Sequence, residues 1–199
     1  MTFDSKIAKL KGLNVYFTGG DFQRDIQVVC AMGLSAAIRD RVENTGISAK
    51  GNTFKGYSTK PTLVGASSFY NQGPKNMLFG TKEKRKELMW ITIKGNGKNY
   101  RLAIMPGGYK EIKRLDGGRT NYRDFRRTGE MWLGYGIKAS KGKNTVVVGG
   151  RKEESQNKIN WNSAQMKINI IAASQIEIDN YNKLMNRMIN KKYNDTINN

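Results

Sequence analysis

LDGGRTNYRDFRRTGEMWLGYGIKASKGKNTVVVG, from Leu115 to Gly149, joins a basic, glycine-punctuated half to an apolar half. In the apolar half Trp132 to Ile137 reads as a strand, Lys141-Gly142-Lys143-Asn144 as a turn, and Thr145 to Val148 as the returning strand. A second hairpin pattern lies upstream, with Leu88 to Lys94 and Asn99 to Met105 separated by Gly95-Asn96-Gly97. Pro106-Gly107-Gly108 closes it, because proline withholds a ladder donor and glycine permits an abrupt turn. Two hairpins set between segments of helical period predict an α+β fold. It is a small, mainly antiparallel sheet flanked by an N-terminal helix and C-terminal helices, with long Gly-rich loops or arms.

Outward from the hairpins, Asp21 is placed to cap a helix whose apolar and small stripe is Ile26, Val29, Cys30, Gly33 and Ala37. Gly46 is placed to end that helix in the left-handed conformation. Ahead of it, Phe3, Ile7, Leu10 and Leu13 share a helical face, but Gly12 interrupts them, so residues 1–20 read as a helix or an arm. On the C-terminal side RKEESQ, Arg151 to Gln156, reads as a break. Trp161, Ala164, Ile168 and Ile171 then recur at helical spacing. Ser174 and Glu177 form a capping-box signature for a last helix carrying Ile178, Tyr181, Leu184, Met185 and Met188. The expected organisation is an arm over 1–20, one α+β domain over 21–192 with a long insertion at 60–112, and a polar, fraying tail over 193–199.

Composition narrows the chemistry. The 199 residues hold 35 basic and 16 acidic side chains, a formal charge of +19, which favours a polyanion or an acidic protein as partner. Lys82 to Arg127 alone holds 14 basic and 5 acidic residues. There is no histidine, which removes the commonest general base, the commonest metal ligand and every Ser-His or Cys-His dyad. The single cysteine, Cys30, allows no disulfide framework and reads as a small core residue. No stretch approaches the roughly twenty consecutive apolar residues of a membrane span. The N-terminal MTFDSKIAKLKG lacks the apolar run of a secretory signal, so no membrane association is expected.

Gly95-Asn96-Gly97 and Gly117-Gly118 lack the spacing and the lysine of a phosphate-binding loop, so no cofactor is expected. Asp116, Asp124 and Glu130 could bind Mg²⁺ in a nuclease, but they lie among arginines and read more simply as ion-pair partners, so no metal site is assigned. The best candidate interaction patch is Arg114, Arg119, Arg123, Arg126 and Arg127 interleaved with Tyr122 and Phe125. Guanidinium forks pair with carboxylate or phosphate, and aromatic rings add contact area at small entropic cost. The competing reading is a basic loop packed only on its own subunit.

Four motifs together resemble phage head-to-tail connector and tail-completion proteins, the virion morphogenesis and minor tail components. They are AAIRDRVENTG at Ala36 to Gly46, GYS at Gly56 to Ser58, RTGEMW at Arg127 to Trp132 and VVVGG at Val146 to Gly150. The resemblance implies a non-catalytic structural subunit of a homo-oligomeric ring, of six or twelve copies, in the neck between portal and tail. Its partners would be the portal or adjacent neck and tail proteins, with packaged DNA in the lumen. The protein would be made in the host cytoplasm and reside in the virion. Lys- and Asn-rich usage suits an AT-rich genome, and ring proteins of crAss-like phages are relatives to consider.

Within a ring, Phe54, Tyr57, Phe69 and Tyr70 would belong to an inter-subunit arm, with Ser48 to Gly80 ordering on assembly. The chain departs from the family in its long link from Lys60 to Ile112, whose role is not carried over. Two other readings use the same residues: a nucleic-acid-binding module without ring assembly, and a metal-dependent nuclease.

Overall fold

The computed structural model describes residues 2–65, 88–115, 118–125, 130–139 and 145–198. The elements are α1 (Phe3–Thr18), α2 (Gly20–Phe22), α3 (Val28–Asp40), β1 (Thr62–Gly65), β2 (Met89–Gly95), β3 (Lys98–Met105), α4 (Gly108–Leu115), α5 (Glu130–Leu133), β4 (Tyr135–Ala139), β5 (Val146–Gly150), α6 (Glu153–Met166) and α7 (Gln175–Asn198). One sheet has the order β1-β3-β2, the other pairs β4 with β5, and every pairing is antiparallel. The fold is therefore α+β, as the hairpin patterns predict. The chain forms two compact units, Met1–Asn52 with Met131–Asn199, and Thr53–Glu130, where the sequence suggested one domain carrying an insertion at 60–112.

In the discontinuous unit the residues expected to be an arm form α1, capped by the Thr2 hydroxyl accepting from the Ser5 N–H and packed on α7. Helical structure then runs from Gly20 to Thr45 through π-helical turns at Gln23–Gln27 and Arg41–Thr45. Gly46, at φ 68°, ends it as expected. Asp21 does not cap the run; the N-cap is Gly19, and Asp21 pairs with Arg24 at 2.9 Å. The expected apolar stripe is met only in part. Ile26 and Cys30 are buried as expected, but across a run that contains π turns the other buried apolar positions are Ala31, Ile38 and Val42, while Val29, Gly33 and Ala37 are exposed. This face packs on β4, β5 and α7.

The hairpin predicted around Lys141–Asn144 is present, with Ile137 opposite Val148, although that turn lies outside the described residues. Trp132 is not in its first strand. It sits in α5 and is buried with its ring edge-on to Tyr135 at 5.4 Å. Met131 is buried beside it, whereas Val147 projects outward. Gly150 explains how α6 reaches β5: a Cβ there would lie 2.4 Å from the Gln156 nitrogen, and the Gly150 N–H instead donates to Gln156 Oε1 at 2.9 Å.

RKEESQ is consequently the start of α6 rather than a break, with Glu153 and Glu154 in its first turn. Ser155 and Ile159 form its buried side, and Trp161 points to solvent. The capping box is present: the Glu177 N–H donates to Ser174 Oγ at 3.3 Å, and the Ser174 N–H donates to Glu177 Oε2 at 2.7 Å. The last helix runs into the segment expected to be a polar tail and continues to Asn198. Lys192 lies over the Tyr16 ring at 4.6 Å, tying that end to α1.

In the second unit the Asn96-Gly97 turn, with φ of 49° and 71°, has the positive dihedrals of a tight two-residue hairpin. Val64, Ala103, Met105 and Ile112 form its core, with Leu88, Trp90, Tyr109 and Leu115 packed around them. Helix α4 therefore covers one face of the β1-β3-β2 sheet, and it is an element the sequence reading missed.

Candidate functional site: a basic surface on the second unit

Helix α4 presents the basic surface, and a glycine makes its position possible. Gly108 has φ 64°, and a Cβ there would meet the Lys60 and Ser58 carbonyl oxygens at 2.3 and 2.7 Å. The backbone thus enters the helix pressed against residues 58–60, with the Lys110 N–H donating to the Ser58 carbonyl at 3.0 Å. Glu111 turns back to accept from the Gly107 N–H at 2.7 Å, satisfying one of the orphan donors at the helix start. With Ile112 facing the core, Lys110 and Arg114 fall one turn apart on the exposed side.

Lys113 points the other way. Its ammonium is buried and pairs with Asp124 at 3.1 Å, above the Tyr57 ring at 5.4 Å. The Tyr57 hydroxyl donates to the same carboxylate at 2.5 Å. Burial, and then the bond and charge of Asp124, hold the Tyr57 hydroxyl well above the ordinary phenol range, so it remains a donor. A Cβ on Gly118 would touch the Lys113 Cε at 3.0 Å, and the Gly118 N–H donates to the Lys113 carbonyl at 2.8 Å. This buried cluster fastens residues 118–125 onto the unit.

The predicted patch is divided by that packing. Tyr122 is buried, and its hydroxyl is bonded to Arg119 Nη1 at 2.5 Å. Phe125, at φ 52°, sets its ring edge-on to Phe54 at 5.1 Å. These aromatics anchor the loop to its own unit instead of offering contact area to a partner. Arg123 is half-buried, with Nε donating to the Gly56 carbonyl at 3.3 Å. Arg114 is exposed and Arg119 keeps a partly open guanidinium beside Tyr122, while Arg126 and Arg127 lie outside the described residues.

The expected arm is corrected at its described end. Phe54 is buried on Phe125 and Tyr57 joins the Lys113–Asp124 cluster, because apolar and hydrogen-bonding partners for both exist within the same unit. Phe69 and Tyr70 lie outside the described residues. Of the carboxylates considered as metal ligands, Asp124 is occupied by Lys113 and Tyr57, Glu130 opens α5, and Asp116 is outside the described residues.

Lys110 is the surface residue the sequence reading did not find. Tyr109, Ile112 and Leu115 at steps of three, with Glu111 in the first turn and Arg114 in the last, form a short helix signal that the preceding Gly-Gly obscured. Among the described residues no cluster of three or more Cys, Asp or Glu could hold a metal, and no helix is long and apolar enough to cross a membrane. No protein-family model, no curated protein and no solved structure matches the chain.

Proposed function

We propose that the chain is a non-catalytic structural subunit of a phage neck or tail-completion ring, residing in the virion, and that residues 53–130 turn a basic surface toward packaged DNA. The ring part of this reading rests on the likeness of the motifs at Ala36–Gly46, Gly56–Ser58, Arg127–Trp132 and Val146–Gly150 to connector proteins. The DNA part rests on the distribution of charge. Residues 53–130 hold 17 basic and 6 acidic side chains.

One observation carries it furthest. Glu111 and Asp124 are engaged inside the unit, by the Gly107 N–H and by Lys113 with Tyr57, while Lys110, Arg114 and Arg119 keep access to solvent. Internal use of these acids leaves the outward side of α4 positive, as backbone-directed binding without base readout requires. The chain has no histidine, and Asp124 is neutralised where a nuclease would need it free.

Anisotropy titration of a short DNA duplex tests the DNA contact. Affinity should fall linearly with log salt, and the triple variant Lys110→Ala/Arg114→Ala/Arg119→Ala should weaken binding and flatten the slope by roughly one unit for each phosphate no longer neutralised. An unchanged slope would remove this surface from DNA binding. Solution mass separates the ring from a module that binds DNA as a single chain. Incubation with Mg²⁺ or Mn²⁺ should leave the duplex intact, and cleavage abolished by Asp124→Asn would favour the nuclease reading instead.

A further inference from the structure

Helix α4 covers only half of the sheet face on which it packs. Residues directly opposite one another in antiparallel strands share a face, and side chains alternate between faces along each strand. Val64, Trp90, Ala103 and Met105 lie against α4. The same alternation puts Thr92 and Lys94 of β2, with Asn99 and Arg101 of β3, on that face nearer the hairpin tip, and all four are exposed. With eight residues α4 is about 12 Å long, whereas the eight residues of β3 extend about 27 Å, so the helix leaves the tip half open.

The open half continues the positive side of α4. From Leu88 to Arg114 the chain holds six basic residues and one acid. The acid, Glu111, is turned back onto the Gly107 N–H, and Lys113 is buried on Asp124. The exposed cations are therefore Lys94, Lys98, Arg101, Lys110 and Arg114, and among the described residues no carboxylate forms an ion pair with any of them. Arg101 is also held in place. Its Cζ lies 4.7 Å from the centroid of the Trp90 ring, and Trp90 is itself packed on the core. Stacking engages the flat face of a guanidinium and not the N–H edge that forks onto a phosphate.

We infer that the β2-β3 hairpin is a second phosphate-binding element, in which Lys94 and Arg101 contact the backbone of the same DNA duplex that meets Lys110 and Arg114. The inference rests on the DNA contact proposed above and deepens it. A nucleic-acid backbone fits this strip better than an acidic protein does. Lys94 and Arg101 are interleaved with Thr92 and Asn99 and enclose no apolar residue, whereas the centre of a protein interface is depleted of charge. The exposed apolar side chains of the hairpin, Ile93 and Tyr100, stand on the opposite face. From Met105 beneath α4 to Asn99, β3 advances about 20 Å, or roughly half a turn of B-DNA, so helix and hairpin can reach phosphates along one side of a single duplex.

Anisotropy titration of a 20-base-pair duplex with the full chain, repeated over a salt series, tests the inference. Lys94→Ala/Arg101→Ala should weaken binding at least tenfold at low salt and flatten the plot of log affinity against log salt by roughly two units, at about 0.9 for each phosphate released. Its melting temperature should not change, because both side chains are exposed. Lys6→Ala/Lys11→Ala, which removes the same charge from exposed positions of α1, should leave the slope unchanged. Arg101→Lys should keep the slope but weaken binding several-fold, because an ammonium keeps the charge without the stacked fork.

Each contrary result has a distinct meaning. A slope unchanged in Lys94→Ala/Arg101→Ala but flattened in the α4 triple variant overturns the hairpin site and leaves the DNA reading standing. The reverse pattern upholds the hairpin and removes α4. Equal flattening by Lys6→Ala/Lys11→Ala reduces the effect to net charge and overturns the site, and Arg101→Lys binding as well as the wild type overturns the role of the stacked guanidinium. A wild type that ignores the duplex but binds a polyglutamate peptide through Lys94 and Arg101 overturns both readings and identifies an acidic protein as the occupant.

Discussion

Replacing Arg41 by methionine should destabilise the discontinuous unit more than any other single change of a charged side chain there. Arg41 donates from Nε to Glu177 Oε1 at 2.9 Å and from Nη2 to Oε2 at 3.2 Å. It also donates from Nη1 to the Ile47 carbonyl and from Nη2 to the Ala172 carbonyl, each at 2.6 Å. One guanidinium thus joins the end of the first long helical run, the turn after Gly46 and the entry to α7. The side chains of Arg41 and Glu177 are 14 and 9% exposed. Methionine would keep most of the packing volume but leave a buried carboxylate held by the Ser174 N–H without its cation. Two carbonyls would also lose this donor.

Breaking a buried pair from one side costs about 3–5 kcal/mol, and residual water access at Arg41 places this case near 3 kcal/mol. For a unit of this size that is roughly a 10 °C fall in melting temperature. Arg41→Lys should lose more than half as much, because an ammonium cannot engage both carboxylate oxygens and two carbonyls in the same fork. The exposed Arg24–Asp21 pair, at 73 and 61% exposure, supplies the control, and Arg24→Ala should be nearly neutral. Urea unfolding followed by circular dichroism reads all three variants. In a double-mutant cycle with Glu177→Gln the two losses should be less than additive by about 2 kcal/mol. If Arg41→Met costs no more than Arg24→Ala, the clamp contributes nothing and the reasoning from burial is wrong.

The raised Tyr57 hydroxyl makes the second unit sensitive to alkali. The unfolded chain releases its phenol proton near pH 10 while the folded chain retains it, so stability present below that pH falls as pH rises further. Tyr57→Phe should lower stability at neutral pH by about 1–2 kcal/mol and reduce the alkaline loss, as measured by melting temperature against pH. Gly108→Ala should destabilise the same unit by roughly 2–4 kcal/mol, because positive φ and two backbone oxygens oppose the new methyl group; urea titration checks it. Cys30 is buried, burial raises its thiol above the ordinary range, and its Sγ lies 3.7 Å from Met188 Sδ. A thiol reagent should therefore modify it at the rate of unfolding, with immediate reaction in native buffer as the contrary result.

The parts of the fold legible in sequence are those set by local chemistry. Asn96-Gly97 specifies a tight hairpin, Ser174 and Glu177 specify a helix start, and Gly46 specifies a helix end, each through groups a few residues apart. Phase is a longer-range property. A stripe drawn at 3.6-residue spacing through a run that contains π-helical turns finds Ile26 and Cys30 but also selects the exposed Val29 and Gly33, where Ala31 and Ile38 are the packed positions. Trp132 was expected in a strand on β propensity, and a single turn of helix before Gly134 instead swings its ring inward against Tyr135.

The candidate surface was half legible for a related reason. An Arg-Tyr-Arg-Phe run gives composition but not direction, and direction here is decided by Lys113 and Asp124, eleven residues apart and both buried. Their pairing fixes the loop after α4 so that Tyr122 and Phe125 turn into the unit while Arg119 stays at its surface. Aromatics expected to meet a partner thus serve to position the cations, and the surface that remains is electrostatic rather than stacking. Such a surface suits a phosphate backbone held without sequence readout better than single-stranded bases held on rings. The exposed apolar residues lie elsewhere, on the sheet face of Leu63, Met89, Ile93 and Tyr100, so the second unit divides its chemistry between a charged helix side and a neutral sheet side.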